Sequence, residues 1–302
     1  MTEVSIASGR VLLSALKFSG LGEREYWRAH LQDKMTYSSF HGRIWRAKQG
    51  IIEAPQLFSN SLGAPFHVSG DFVITGDWQL PTTDYQFAAM PMVIGKKHLR
   101  SKQRRLIIAG DFINADAFSD YDSDIPTPTF EREIAAASTM MEEILTVFDE
   151  VYWIWGNHER RVGRKTKGAL TPQMLRSLVT PHASRVHVSH WGHMLVDTPL
   201  GTYRVTHGRA YSVQQLNVAD ILAQKYQQHI ISHHEHHASK GWDRYKRYVL
   251  INNGGVFDQS QMGYAVLDDG KSPNMQVGFT LLKDGYADLL STGPYTNWSR
   301  WV

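Results

Sequence analysis

The chain has 302 residues, of which 42% are hydrophobic and 20% are charged. This composition is typical of a globular protein and excludes wholesale disorder or a fibrous repeat. Cysteine is absent, which excludes disulfide frameworks, thiolate metal sites and cysteine nucleophiles. At roughly 150 residues per domain, the length predicts one large or two unequal domains.

The net charge of +3 is too small to indicate a nucleic-acid partner by itself. Residues 1–70 contain eight Lys or Arg and five Asp or Glu, so they carry the whole basic excess. No run of about 18 apolar residues occurs, and the first twenty residues lack a secretory pattern. We therefore expect a cytoplasmic protein without a membrane partner.

A small helical domain is predicted for residues 1–70, ending at the turn-forming segment GAPFHVSG. Apolar residues at helical spacing predict a first helix around 11–16, and the glycines at 20–22 end it. A second helix is predicted over 23–31. A third is predicted over 36–48, with Thr36 as its N-cap and Phe40 and Ile44 on its apolar face.

The third helix also carries the basic residues Arg43, Arg46 and Lys48. Three short helices in this order resemble a helix-turn-helix, whose recognition helix enters the major groove while basic side chains contact phosphates. The three residues are therefore candidates for DNA binding. A small packing module with a basic face remains the alternative.

Residues 71–302 alternate apolar, β-rich runs with helical segments, as in an α/β fold. Strands are predicted at 71–75, 105–110, 151–155, 203–208 and 229–232. An apolar stripe from Ile134 to Phe148 predicts one helix, and Ser212 is expected to cap another that runs to Gln228. Turns are predicted at 197–203, at Asp269-Gly270 and at Asp284-Gly285.

Each predicted strand ends in polar residues of metal-binding type. The segments are DFVITGDWQ, RLIIAGDFIN, VYWIWGNHER, YRVTHG and HIISHHEHH. The carboxyl ends of strands form the ligand crevice in α/β sheets, so we expect these side chains to converge. Asp, Asn, Gln and His suit Mn, Fe, Zn or Mg, and two such ions bridged by a carboxylate clamp both reacting oxygens at phosphorus.

The ordered segments GDWQ, GDFIN, GNHE, THG and HHEHH, followed by INNGG, resemble the motifs of the calcineurin-like metallophosphoesterase family over about residues 71–260. The resemblance implies a four-layer α/β (α+β) fold in which a central β-sandwich is flanked by helices. It also implies a hydrolase that uses two divalent metal ions, Mn foremost, to activate hydroxide.

Carried over residue by residue, the resemblance assigns Asp77, Gln79 and His236 to the first metal and Asp111 to the bridge. The second metal would be held by Asn157, His207 and His234. Shifting the last motif by one residue would use His233 and Glu235 instead, and this alternative stays open. His158 would stabilise the transition state or protonate the leaving oxygen, for which a pKa near 6.5 is suited.

Two positions depart from the family pattern. Gln79 stands where the family has His, and its amide oxygen is a weaker ligand, so the first site is expected to bind metal loosely or to favour a harder ion. Asn114 replaces the Asp that orients the catalytic His. Its side chain is expected to accept a hydrogen bond from His158 without raising the pKa of that His by charge.

Basic residues follow the GNHE motif, and they form either a solvated loop or a substrate contact. Arg160, Arg161 and Arg209 are our candidates for gripping phosphate. With the predicted helix-turn-helix, they favour a phosphodiesterase or nuclease acting on nucleic acid, in a bacterium or a phage-infected host. The alternatives are a phosphomonoesterase acting on a nucleotide or phosphoprotein, and a low-activity DNA-binding or scaffold protein.

Overall fold

The computed structural model describes residues 9–33, 35–48, 63–120, 126–262, 275–293 and 296–302. The chain divides into two compact units, residues 1–63 and 64–302. The turn predicted at Asp269-Gly270 lies outside the described residues. No helix in the described ranges is long and apolar enough to cross a membrane.

The first unit contains the three predicted helices, α1 (Gly9–Ser19), α2 (Glu23–His30) and α3 (Tyr37–Lys48). Its buried core consists of Leu12, Leu16, Phe40 and Ile44. The Thr36 hydroxyl accepts a hydrogen bond from the backbone N–H of Ser39 at 3.3 Å, as expected of the residue that begins α3. These helices therefore pack on the apolar faces that their spacing predicts.

The second unit is a mixed α/β structure. Its strands are β1 (His67–Ser69), β2 (Phe72–Thr75), β3 (Arg105–Ala109), β4 (Glu150–Ile154), β5 (Val186–Ser189), β6 (His193–Thr198), β7 (Gly201–His207), β8 (His229–His233), β9 (Ala238–Trp242), β10 (Val249–Asn253), β11 (Gly278–Lys283) and β12 (Tyr286–Ser291). Its α-helices are α4 (Tyr85–Ala88), α5 (Met90–His98), α6 (Phe130–Val147), α7 (Asn157–Lys165), α8 (Pro172–Val179) and α9 (Asn217–Tyr226).

The strands form two six-stranded sheets. Sheet I has the order β1-β6-β7-β8-β10-β9, and sheet II has the order β12-β11-β2-β3-β4-β5. Strands β2 to β5 run parallel in sheet II, and β7, β8 and β10 run parallel in sheet I. The hairpins predicted at 197–203 and at Asp284-Gly285 join β6 to β7 and β11 to β12.

Apolar side chains between the layers give a four-layer sandwich. Phe72 and Ile107 of sheet II pack against Val205 and Ile251 of sheet I. The outer face of sheet II is covered by α5, α6 and α8, and α9 covers the outer face of sheet I. Because both faces of β2 and β3 are buried, these strands are continuous apolar runs, as the predicted fold class requires.

Three local details differ from the predictions. The compact units divide after residue 63 rather than 70, because β1 pairs with β6 of the second unit. Helix α9 begins at Asn217, since the Ser212 hydroxyl accepts from Gln214 N and Asn217 Nδ2 in a turn instead of capping the helix. The basic residues after GNHE lie on helix α7 and not on a loop.

Candidate metal centre

The carboxyl ends of five parallel strands meet at one edge of the sandwich. Beyond β2 and β3 the chains stay paired, because Asp77 N donates to the Gly110 carbonyl at 3.0 Å and Gln79 N donates to the Asp111 carbonyl at 2.9 Å. This pairing fixes Asp77, Gln79 and Asp111 side by side. Strands β4, β7 and β8 deliver Asn157, His207 and the histidine cluster to the same edge.

One half of the centre is a compact group of nitrogen and oxygen donors. One ligand atom each from Asp111, His207 and His234 lies within 4.8 Å of the others. His207 donates from Nδ1 to the Ala109 carbonyl at 2.8 Å, which directs its Nε2 to Asn157 Oδ1 at 2.9 Å and Asp111 Oδ2 at 3.2 Å. The structure thus brings together the four residues expected around the second metal.

The other half contains Asp77, Gln79 and His236. Nε2 of His236 lies 3.2 Å from Asp77 Oδ1 and 3.3 Å from Nε2 of the Gln79 amide. A half-turn of that amide about its last bond presents the oxygen to the same point. All three residues are buried, as expected of the first metal's ligands.

The two alternative residue pairs of the last histidine motif, His234 with His236 and His233 with Glu235, take different positions in the fold. His234 and His236 face the two aspartates. Glu235 instead accepts a hydrogen bond from Asn252 Nδ2, and His233 Nε2 contacts Asn253 Nδ2, both at 2.9 Å. The geometry therefore favours the frame that uses His234 and His236.

Backbone strain is concentrated in this centre. Positive φ angles occur at five residues predicted as metal ligands, namely Asp77 (50°), Gln79 (50°), Asp111 (51°), His234 (89°) and His236 (58°). Residues other than glycine rarely adopt this left-handed region, and such strain clusters where function demands a fixed geometry.

His158 lies against Asp111 and is oriented by backbone, contrary to the prediction for Asn114. Its Nδ1 donates to the backbone carbonyl of Asn114, whereas the Asn114 side chain donates to Asp116 Oδ2 at 2.7 Å. Arg161 Nη2 lies 3.1 Å from His158 Nε2. Burial and Arg161 lower the pKa of His158 and outweigh Asp111, which acts the other way.

Glu159 was not predicted as a site residue, yet it organises the strand ends. Its buried carboxylate accepts the backbone N–H groups of Asp111, Phe112 and Gly156 at 2.7–2.9 Å. The contact with Gly156 caps α7. A glutamate at the third position of a helix, after a glycine N-cap, carries this capping signature in the sequence.

Residues 70–256 match the family model of the calcineurin-like phosphoesterases. The chain belongs to this family. It is therefore a metal-dependent hydrolase of phosphoric ester bonds, as the sequence motifs indicate.

Among solved structures, this phosphoesterase is similar to a single-residue mutant of Vps29 from Entamoeba histolytica, with 13% identity and a TM-score of 0.35 over 74% of this chain and 99% of that one. It is also similar to a cold-active protein-tyrosine phosphatase of a psychrophilic Shewanella species, with 9% identity and a TM-score of 0.35 over 76% and 83% of the chains. Among curated proteins, no sequence matches the chain.

The charges of the phosphoesterase centre fit a bound cation. Burial alone would lower the pKa of His207, but Asp111 and Asp77 outweigh it and raise that pKa to about 10. The proton on His207 thus balances two buried carboxylates, those of Asp77 and Asp111. A divalent ion supplies the same positive charge to the same oxygens, so the donor set suits the family's dinuclear metal.

The predicted phosphate-binding residues take different places. Arg161 lies at His158, as described. Arg160 donates from Nη2 to the His190 carbonyl at 3.0 Å, and the nearby Arg209 is exposed. Burial lowers the pKa of Arg160, and the positive charge of Arg209 lowers it further. Arg160 and Arg209 therefore form a pair of neighbouring cations.

The candidate DNA-binding residues lie on α3 of the first unit. Lys48 Nζ forms an ion pair with Glu23 Oε1 at 2.6 Å, and Glu23 also contacts His41 Nδ1 at 2.8 Å. Arg43 is half-buried, and the side chain of Arg46 lies outside the described residues. The cation at Lys48 is thus neutralised within its own unit.

Proposed function

We propose that this phosphoesterase is a phosphodiesterase that cleaves nucleic acid. The observation that carries the proposal is an open cavity of about 240 Å³ lined by Phe118, Asp120, Arg161, Arg164 and Lys165. Of these residues, Arg161 also contacts His158. Three cations share one carboxylate there, that of Asp120, which pairs with Lys165. A surplus of positive charge next to the reacting position suits a polyanionic substrate.

The chain offers two sets of metal ligands. In our proposal, Asp77, Gln79 and His236 would hold the first ion, Asn157, His207 and His234 would hold the second, and Asp111 would be shared by both. Bound divalent ions, Mn²⁺ foremost, activate the attacking water and neutralise charge on the phosphoryl oxygens.

Arg161 and His158 act together on the substrate in this proposal. A phosphate oxygen accepts a charge-assisted hydrogen bond, which is stronger than the bond from Arg161 to the neutral His158 ring. Substrate binding therefore draws the guanidinium onto phosphate and frees the lone pair of His158 Nε2. Without that cation beside it, Nε2 can take a proton from water and pass it to the leaving oxygen. The Asn114 carbonyl keeps the ring in place throughout.

Arg160 and Arg209 bind a flanking part of the polyanion in this proposal. Arg43, Arg46 and Lys48 of the helical unit are proposed to contact DNA phosphates, with Lys48 exchanging Glu23 for phosphate. Neither role alters the chemistry at phosphorus.

The test is Mn²⁺-dependent hydrolysis of bis-p-nitrophenyl phosphate beside p-nitrophenyl phosphate, for wild type and Asp111→Ala. We expect the diester to be the better substrate and the variant to be inactive, after which single- and double-stranded DNA are assayed. Preference for the monoester would replace the proposal with a phosphomonoesterase. Absence of turnover with Mn²⁺, Mg²⁺, Fe²⁺ and Zn²⁺ would favour a binding protein.

A further inference from the structure

The turn between β9 and β10 combines aromatic and basic residues away from the metal centre. Residues 240–248 read KGWDRYKRY, with four cations and one carboxylate. Trp242 is 61% exposed and Tyr245 is 64% exposed. Large rings at this exposure gain little from the protein's own core, so their packing does not explain their presence.

The turn is held in one conformation by Asp243. Its carboxylate is buried and accepts from Arg247 N at 2.5 Å, Tyr248 N at 2.8 Å and Gln224 Nε2 at 2.9 Å. The Asp243 N–H donates to the Tyr248 carbonyl at 2.9 Å. The exposed rings therefore sit on a rigid support, which lowers the entropy lost when a ligand binds.

Cations of the turn lie near Tyr245. The Arg247 guanidinium lies 4.9 Å from the centre of the Tyr245 ring, and its Nε lies 3.6 Å from Asp243 Oδ2. Lys246 is exposed beside it, and Arg244 pairs with Asp220. Flat aromatic faces among positive charges are what a base and its phosphate require.

The turn lies within reach of the metal centre. Trp242 is six positions along the chain from His236, which is at most about 20 Å of chain. At about 3.4 Å per nucleotide along a stacked strand, that span corresponds to roughly six nucleotides. One strand can therefore occupy both places once it exceeds this length.

We propose that this turn is a stacking platform for single-stranded nucleic acid, with Trp242 and Tyr245 stacking on bases and Lys246 contacting phosphate. The platform extends the proposed nuclease function, on which its link to the metal centre rests. Its ligand is a flexible strand with unpaired bases, since a duplex does not offer base faces to these rings.

The experiment measures binding of a fluorescein-labelled dT20 oligonucleotide by anisotropy and, separately, inhibition of bis-p-nitrophenyl phosphate hydrolysis by unlabelled dT20 and dT2. We expect Trp242→Ala and Tyr245→Ala each to weaken dT20 binding about tenfold. Inhibition by dT2 and the hydrolysis of the small diester should stay at wild-type values. Lys246→Ala should reduce the salt dependence of binding by about one counterion.

Matched controls are Leu178→Ala, which removes an apolar side chain of 51% exposure from α8, and Lys102→Ala, another exposed turn lysine with positive φ. Neither should change dT20 binding. Equal binding of dT20 by wild type and Trp242→Ala, equal loss with the controls, or no binding by wild type would overturn the platform. Weaker dT20 binding by Trp242→Ala, in a protein whose wild type fails to hydrolyse the diester, would retain the platform and reject the proposed function.

Discussion

The Nδ1–H of His158 is held by the backbone carbonyl of Asn114, while the side chain of Asn114 turns away to Asp116. Asn114, which departs from the family pattern, thus positions His158 through its backbone carbonyl and not through its side chain. No side-chain substitution removes that carbonyl.

Asn114→Ala should therefore keep kcat for a small diester within about threefold of wild type, because the carbonyl remains. Loss of the contact with Asp116 should cost about 1 kcal/mol of unfolding free energy. Steady-state kinetics and thermal unfolding measure the two effects. A hundredfold fall in kcat would show that the amide group itself acts in the reaction.

Asn114→Asp, which restores the family residue, should not raise kcat. The new carboxylate would face Asp116, whose pKa burial already raises, and the like charges would repel. Repulsion vanishes on protonation, so the melting temperature of this variant should approach that of wild type as the pH falls from 8 to 5. A pH-independent difference would contradict this account.

Gln79→His should lower the Mn²⁺ concentration for half-maximal activity by about tenfold, because imidazole is a stronger ligand than an amide oxygen. The measurement is a Mn²⁺ titration of diester hydrolysis, with bound metal counted in parallel. Gln79→Glu is the matched variant, since it keeps the side-chain length and adds a carboxylate. An unchanged titration in both variants would mean that Gln79 does not bind the metal.

Gly156→Ala should abolish activity. An added Cβ would lie 2.1 Å from Asp111 Oδ1 and 2.6 Å from Asp111 N, so the carboxylate that we propose is shared by the two metals would have to move. The control is Gly163→Ala on the same helix, where the nearest atom is 3.2 Å away on the Trp155 ring. That variant should stay active; comparable activity in both would show that the position of Asp111 is not critical.

The raised pKa of Glu133 makes the free energy of unfolding depend on pH. Its buried carboxylate accepts from Ala115 N and Asp116 N, and burial raises its pKa to about 7. The folded state then holds a proton that the unfolded state releases near pH 4.5, so this group lowers stability as the pH rises from about 4.5 to 7.

Replacing Glu133 by Gln should remove that dependence. The free energy of unfolding of Glu133→Gln, relative to that of wild type, should rise by on the order of 3 kcal/mol between pH 5 and pH 8. Thermal melting at both pH values tests this, with the exposed Glu143→Gln on the same helix as control. Parallel pH profiles for Glu133→Gln and wild type would contradict it.

The sequence predicts strands such as β2 and β3 because they are buried on both faces. An apolar run that ends in Asp, as in β2 and β3, is visible without any structure. Strands β1 and β9 were not predicted, since each lies at a sheet edge, is half-exposed and lacks a continuous apolar run.

Side-chain contacts that form only in the folded chain escaped prediction for a different reason. Glu133 bonds to residues 17 and 18 positions away, and Arg161 reaches the ring of His158 only because α7 places both on one face. Helix α7 itself has few apolar residues, so periodicity does not reveal it. Its capping glutamate is the one local signal that does.

Five residues of the proposed metal centre have left-handed backbone conformations. These conformations lower the stability of the fold while they hold the side chains in place for catalysis. At about 1 kcal/mol each, their conformations together cost about as much as the lower end of a domain's net stability. Glycine at any of them would relax the backbone and remove a predicted metal ligand. Variants of this protein selected only for thermal stability would therefore first lose activity through substitutions at Asp77, Gln79, Asp111, His234 and His236. The β-sandwich would become more stable in the same variants.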